Sequence, residues 1–137
     1  MGKFYIKEKI ERLKNDIRFE IILIEETIDR IKELKTKLPV NKTDHATEPA
    51  IGTYLMNFYN GIENIIKRIC KFYYHCFPKG DAWHKELLQL SCNPPTNKIA
   101  VFSKDTVKTM NKYLNFRHRF ISGYGFQQRN LKHFYRN

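Results

Sequence analysis

The sequence has no apolar run approaching the roughly 20 residues that a membrane-crossing helix requires, which excludes a protein built on spanning helices. Cysteine is scarce, with Cys70, Cys76 and Cys92 the whole supply. An odd number without a closely spaced pair argues against a disulfide framework. The possible ligands His75, Cys76, His84 and Cys92 likewise lack the short paired cysteine spacing of a zinc centre. No metal and no cofactor is therefore expected. The first residues, Met1, Gly2, Lys3, Phe4 and Tyr5, show no apolar segment followed by a small-residue cleavage site, so secretion is not expected and a reducing cytoplasm is. Acidic residues are in short supply too: 14 Asp and Glu stand against 25 Lys and Arg, for a formal charge of +11. That excess favours a polyanionic partner, nucleic acid first, because cations that neutralise phosphates release counterions. The alternative is a lysine-rich, solvated helix surface, and charge alone does not separate the two.

Glycine and proline are missing from residues 3–38, where apolar side chains recur at Ile10, Leu13, Ile17, Ile21, Ile24, Ile28, Ile31, Leu34 and Leu38. Steps of three and four residues predict one long amphipathic helix, stopped by Pro39. Phe19, Ile22 and Leu23 widen its stripe, so contact with more than one neighbour is expected. Residues 39–48 read as a polar connection. Thr47 or Glu48 with Pro49 marks a helix start, and a second helix carries Ile51, Leu55, Phe58, Ile62, Ile65, Ile66, Ile69, Phe72 and Tyr73 to an end near Cys76. Gly61 inside it costs about 1 kcal/mol relative to alanine, which points to a close helix–helix approach.

After Pro78, Lys79 and Gly80, Asp81 is expected to cap a short helix over 82–90, with Trp83, Leu87, Leu88 and Leu90 available to the core. Residues 93–97 are a loop by composition. Ser103 is a good cap for a fourth helix, and Asp105 suits the positive end of its dipole. Val107, Met110, Leu114, Phe120 and Ile121 line that helix, with Arg117 on the stripe between Leu114 and Ile121. Gly123 and Gly125 allow the helix to end or bend at Tyr124. No repeat or linker interrupts the chain. The expectation is one all-α domain over 1–137, an up-and-down bundle of four main helices with short connections.

The segment Phe116, Arg117, His118, Arg119, Phe120, Ile121, Ser122, Gly123, Tyr124, Gly125 resembles the motif of HEPN-domain ribonucleases of the HepT-like branch. That motif is an arginine, four residues, a histidine, one residue and often a tyrosine. Arg117 and Tyr124 fall on its arginine and tyrosine, while Ser122 occupies the place of its histidine. The stretch 57–65 resembles the family's second helix, and 80–88 its Trp-His-x-x-Leu-Leu segment.

The resemblance implies a HEPN helical bundle and the toxin component of a toxin–antitoxin system. The implied activity is metal-independent RNA cleavage, in which the ribose 2′-OH attacks the adjacent phosphate. Arg117 would grip phosphate oxygens through its planar, permanently charged fork. Histidine is the usual proton carrier near neutral pH. An unactivated serine hydroxyl is not, so Ser122 implies an inactive or strongly impaired copy, with His118 a substitute proton donor as one alternative. His118 is otherwise a structural or RNA-contacting side chain. Tyr124 is the implied acceptor of AMP from a minimal nucleotidyltransferase antitoxin; read without the family, it is a packed tyrosine. Arg119, Arg129 and Lys132 are expected to bind RNA, the last two in a basic, aromatic tail. A homodimer pairing two motifs is expected as well. Trp83 reads as core, His84 as a cap or hydrogen-bonding group within the bundle, and Glu63 as the partner of an inward arginine such as Arg117. The competing reading is a non-catalytic helical protein that binds RNA or serves a nucleotidyltransferase.

Overall fold

In the computed structural model, the backbone is described for residues 2–37 and 47–135, and side chains for 2–37 and 49–123. Four helices form an all-α bundle: α1 (Gly2–Lys37), α2 (Thr47–Ile69), α3 (Trp83–Cys92) and α4 (Lys104–Tyr135). The stop at Pro39 and the polar connection lie outside the described residues. Helix α2 is the centre of the bundle, packing against α1 on one flank and against α3 and α4 on the other.

The core is the meeting of the predicted stripes. Ile24 of α1, Tyr59, Ile65, Ile66 and Ile69 of α2, Leu87 and Leu88 of α3, and Val107 and Leu114 of α4 are buried together. Gly61 lets α1 approach α2, as its place in the helix suggested: a Cβ there would sit 2.6 Å from Ile24 Cγ1. The expectation that α1 meets several neighbours fails for part of its surface. Phe19 and Ile22 remain 60% and 52% exposed, because α1 packs chiefly along α2 and these side chains point away from that seam.

Helix α2 does not end as an α-helix. Cys70–Tyr74 continue it as one π-helical stretch, closed by His75 in the left-handed region and by the Cys76 N–H donating to the Cys70 carbonyl at 3.1 Å. This wider turn presents two tyrosines to one backbone unit beyond α3. The Tyr74 hydroxyl donates to the Ile99 carbonyl at 2.6 Å, and the Ile99 N–H donates to the Tyr73 hydroxyl at 3.2 Å. The Ser91 carbonyl accepts from the N–H groups of Val101 and Phe102. Residues 93–103 are thereby tied down without strand or helix, since their inner backbone groups find partners.

Two helix ends differ from expectation. Asp81 does not cap α3; Ala82 holds that position without a side-chain bond, and Glu86 supplies the negative charge of the first turn. Gly80, at φ 111°, turns the chain so that Asp81 lies in the turn rather than at the helix start. Helix α4 begins as predicted, with the Thr106 N–H donating to Ser103 Oγ at 3.1 Å. It then continues through Gly123 and Gly125 to Tyr135, since a glycine costs a helix only about 1 kcal/mol and does not by itself end one.

Candidate functional site

The face where α2, α3 and α4 meet collects the polar side chains that a helical core normally excludes. Helix α2 supplies Tyr59, Asn60 and Glu63, which its three- and four-residue spacing turns toward α3 and α4. Glu63 is buried, its side chain only 4% exposed, and two nitrogen groups meet it: His84 Nδ1 stands 2.7 Å from one carboxylate oxygen and Lys67 Nζ 3.6 Å from the other. The expected pairing of Glu63 with an arginine is not what forms. His84, in the first turn of α3, takes that place, and Arg117 instead donates from Nε to Asn60 Oδ1 at 2.8 Å. The neutral amide fixes one edge of the guanidinium, which has no carboxylate partner within ion-pair distance among the described residues.

Trp83 stacks on His84, with ring centroids 3.5 Å apart and an interplanar angle of 30°. Lys67 sits over the indole at 4.8 Å, so the tryptophan is a half-buried wall of the site as well as a neighbour of the core. From α4, His118 meets His84 edge to face, centroids 5.6 Å apart. Adjacent helix positions diverge by about 100°. Arg117 accordingly turns to α2 while His118 turns to α3, and the two flank the site from one helix.

The Tyr59 hydroxyl lies beneath these groups, buried and without a hydrogen-bond partner among the described residues. Its pKa is raised, first by burial and then by the Glu63 carboxylate, with the Arg117 guanidinium opposing. Both charges therefore act on one buried oxygen.

Of the remaining predicted site residues, Arg119 and Ser122 are exposed on α4. Ser122 follows His118 by one turn, so the two share a face of the helix. Ile121, expected in the core, is 42% exposed; its neighbour Phe120 packs over Gly52 of α2 instead, where an added Cβ would meet the ring. The side chains of Tyr124, Arg129 and Lys132 lie outside the described residues, although the helix backbone passes through all three positions. Among the described residues, no three or more His, Cys, Asp or Glu side chains gather as a metal group would require, and no helix is long and apolar enough to cross a membrane.

The sequence marked His84 as a hydrogen-bonding group within the bundle and Glu63 as the partner of an inward arginine, and only Asn60 went unmarked outside its helical segment. A glutamate at a core-facing position was the available signal that a polar partner must meet it there. Which partner it would be depended on how α3 packs.

Compared with known proteins, the chain matches the model of a family described as HepT-like protein over residues 50–136. That span contains α2 from its fourth residue on, α3, α4 and every side chain of the polar face. No curated protein matches the chain, and no solved structure matches it.

Proposed function

The chain belongs to the HepT-like family of the HEPN superfamily, and from that premise we propose that it is an RNA-directed toxin component whose site is the polar face of α2, α3 and α4. The observation that carries this reading is Arg117, fixed by the neutral Asn60 and without a carboxylate partner among the described residues. A guanidinium so held is pre-organised to grip a phosphodiester. The surplus of lysine and arginine would draw a polyanion toward it.

Ser122 stands where the family motif has its histidine. Proton transfer from that position is lost, and cleavage by this chain is strongly impaired. Tyr124, beyond it on α4, is the acceptor of AMP from a minimal nucleotidyltransferase antitoxin; an adenylyl phosphate there would compete with RNA for Arg117. Two copies of the chain bring their motifs together as a homodimer, with Arg119, Arg129 and Lys132 contacting the RNA backbone.

The test is binding and cleavage of single-stranded RNA by the full chain, beside Arg117→Ala and Ser122→His. Arg117→Ala weakens binding about tenfold, the loss expected of one charge-assisted contact, and Ser122→His raises cleavage. An unchanged affinity in the first, or the absence of RNA binding at low salt, defeats the proposal. Co-expression with a nucleotidyltransferase partner, followed by mass spectrometry, checks Tyr124: an adduct on another residue or on none removes that part.

A further inference from the structure

The motif histidine is absent, but the site is not without imidazoles. His84 lies outside the motif, on a different helix, and is the most constrained side chain of the polar face. Its Nδ1 is 2.7 Å from the buried Glu63 carboxylate, Trp83 covers one ring face, and the His118 ring meets it at 5.6 Å. Two of these contacts involve groups that a purely structural histidine does not need: a buried carboxylate, costly to desolvate, and a second histidine open to solvent.

From this geometry we infer that His84 and His118 together are the proton-transfer pair of this site, with Glu63 the positioning residue that prepares His84 as the base. The inference rests on the reading of the site as RNA-directed. Glu63 holds the proton on Nδ1, which leaves the lone pair on Nε2, the nitrogen without a hydrogen-bond partner among the described residues. A carboxylate on one imidazole nitrogen both fixes the tautomer and stabilises the imidazolium that forms when the other nitrogen takes a proton. His84 keeps 20% of its side-chain surface open to receive one.

His118 is exposed and has no carboxylate partner among the described residues. Standing one helical turn before Ser122, it covers the position the motif has vacated. The step balances within the substrate. His84 Nε2 takes the proton of the ribose 2′-OH, and that oxygen forms a bond to phosphorus. The bond from phosphorus to the 5′-oxygen breaks, and the imidazolium of His118 gives its proton to the leaving oxygen. The products are a 2′,3′-cyclic phosphate and a free 5′-hydroxyl. Arg117, held by Asn60, steadies the charge on the phosphoryl oxygens.

The experiment follows cleavage of a labelled single-stranded RNA of mixed sequence, with the all-deoxy strand as control, at saturating full-length protein. The unmodified chain cuts RNA slowly to 2′,3′-cyclic ends and leaves DNA intact. His84→Gln, which retains a donor for Glu63, and the surface variant His118→Ala each lower the rate about 100-fold or more, the scale of a lost general acid or base, with RNA affinity unchanged.

Glu63→Gln, with Lys67 on α2 still beside position 63 and His118 on α4 still beside His84, moves the acid limb of the pH–rate profile to lower pH. A merely structural role would depress the rate equally at every pH. Cleavage by His84→Gln at the unmodified rate overturns the inference. So does RNA binding without any cleavage by the unmodified chain, and in both cases the RNA-directed reading survives. The absence of RNA binding overturns both.

Discussion

Helix α2 is held differently on its two flanks. Toward α1 it offers Gly61 and accepts Ile24 at a separation that leaves no room for a side chain. Of the ion pairs there, Arg68 with Asp16 sits at the partly exposed rim and contributes little, while Arg68 with Glu20 reaches a carboxylate that is itself buried. Toward α3 and α4 it offers Tyr59, Asn60 and Glu63, and the interface encloses an amide, a carboxylate and a hydroxyl without a partner among the described residues. The first flank gains stability from close packing. The second gives some of it up to hold a guanidinium and two imidazoles at set positions, as expected where a fold supports a site.

The sharpest way to break this contrast is to crowd the packed flank. Gly61→Val places a Cβ against Ile24 Cγ1, which is anchored near its own backbone and cannot swing away, and should lower stability by about 3 kcal/mol in chemical denaturation. Gly52→Ala meets only the outer edge of the Phe120 ring and should cost less; equal losses would show that the two glycines do the same work.

Next in size is the polar flank itself. His84→Ala leaves Glu63 buried with only the more distant Lys67 and should cost about 2 kcal/mol, whereas the double variant Glu63→Met, His84→Leu should recover that loss while abolishing site chemistry. A double variant as unstable as the single would mean that the pair is structural.

Alkaline pH provides a third test, at the junction of α2 with the π-helical stretch. Burial, and to a lesser degree Cys76, pushes the Cys70 thiol up to about 11. Its protonated form is thus favoured in the folded state, and that stability is complete below the thiol's ordinary value and lost as pH rises toward about 11. Over that window the protein should lose on the order of 1–2 kcal/mol, and Cys70→Val should flatten the stability–pH curve. A curve left unchanged by the variant assigns the loss to other groups.

The smallest effects should be near zero or favourable. Tyr59→Phe removes a buried hydroxyl with no partner among the described residues and should raise stability by up to about 1 kcal/mol, measured as a higher denaturation midpoint; a loss would place an unseen partner on that oxygen. Ile22→Lys, on the outward face of α1, should change stability by no more than about 0.5 kcal/mol, and a larger loss would mean that something covers that face in solution.

Local signals in the chain were sufficient for much of the fold. The three- and four-residue steps from Ile10 to Leu34 and from Ile51 to Ile69 required two helices. Ser103 capped α4 as its side chain allows, and Gly61 marked the close approach. The failures share a cause. Asp81 is as good a cap by type as Ser103, but Gly80 turns the chain before it can serve. The π-helical stretch at Cys70–Tyr74 leaves no periodic trace in five residues, because what it achieves, two tyrosine hydroxyls on Ile99, involves residues about 25 positions away.

By itself the sequence determined the helices, their apolar faces and the resemblance around Arg117, with serine at position 122, all of which depend on residue type and spacing over a few turns. Only the tertiary structure decided that Glu63 meets His84 rather than Arg117, that Arg117 rests on Asn60, and that His118 stands against His84. Helical periodicity says which way a side chain faces. What it meets there is set by how the helices pack, through partners 21 to 57 residues apart.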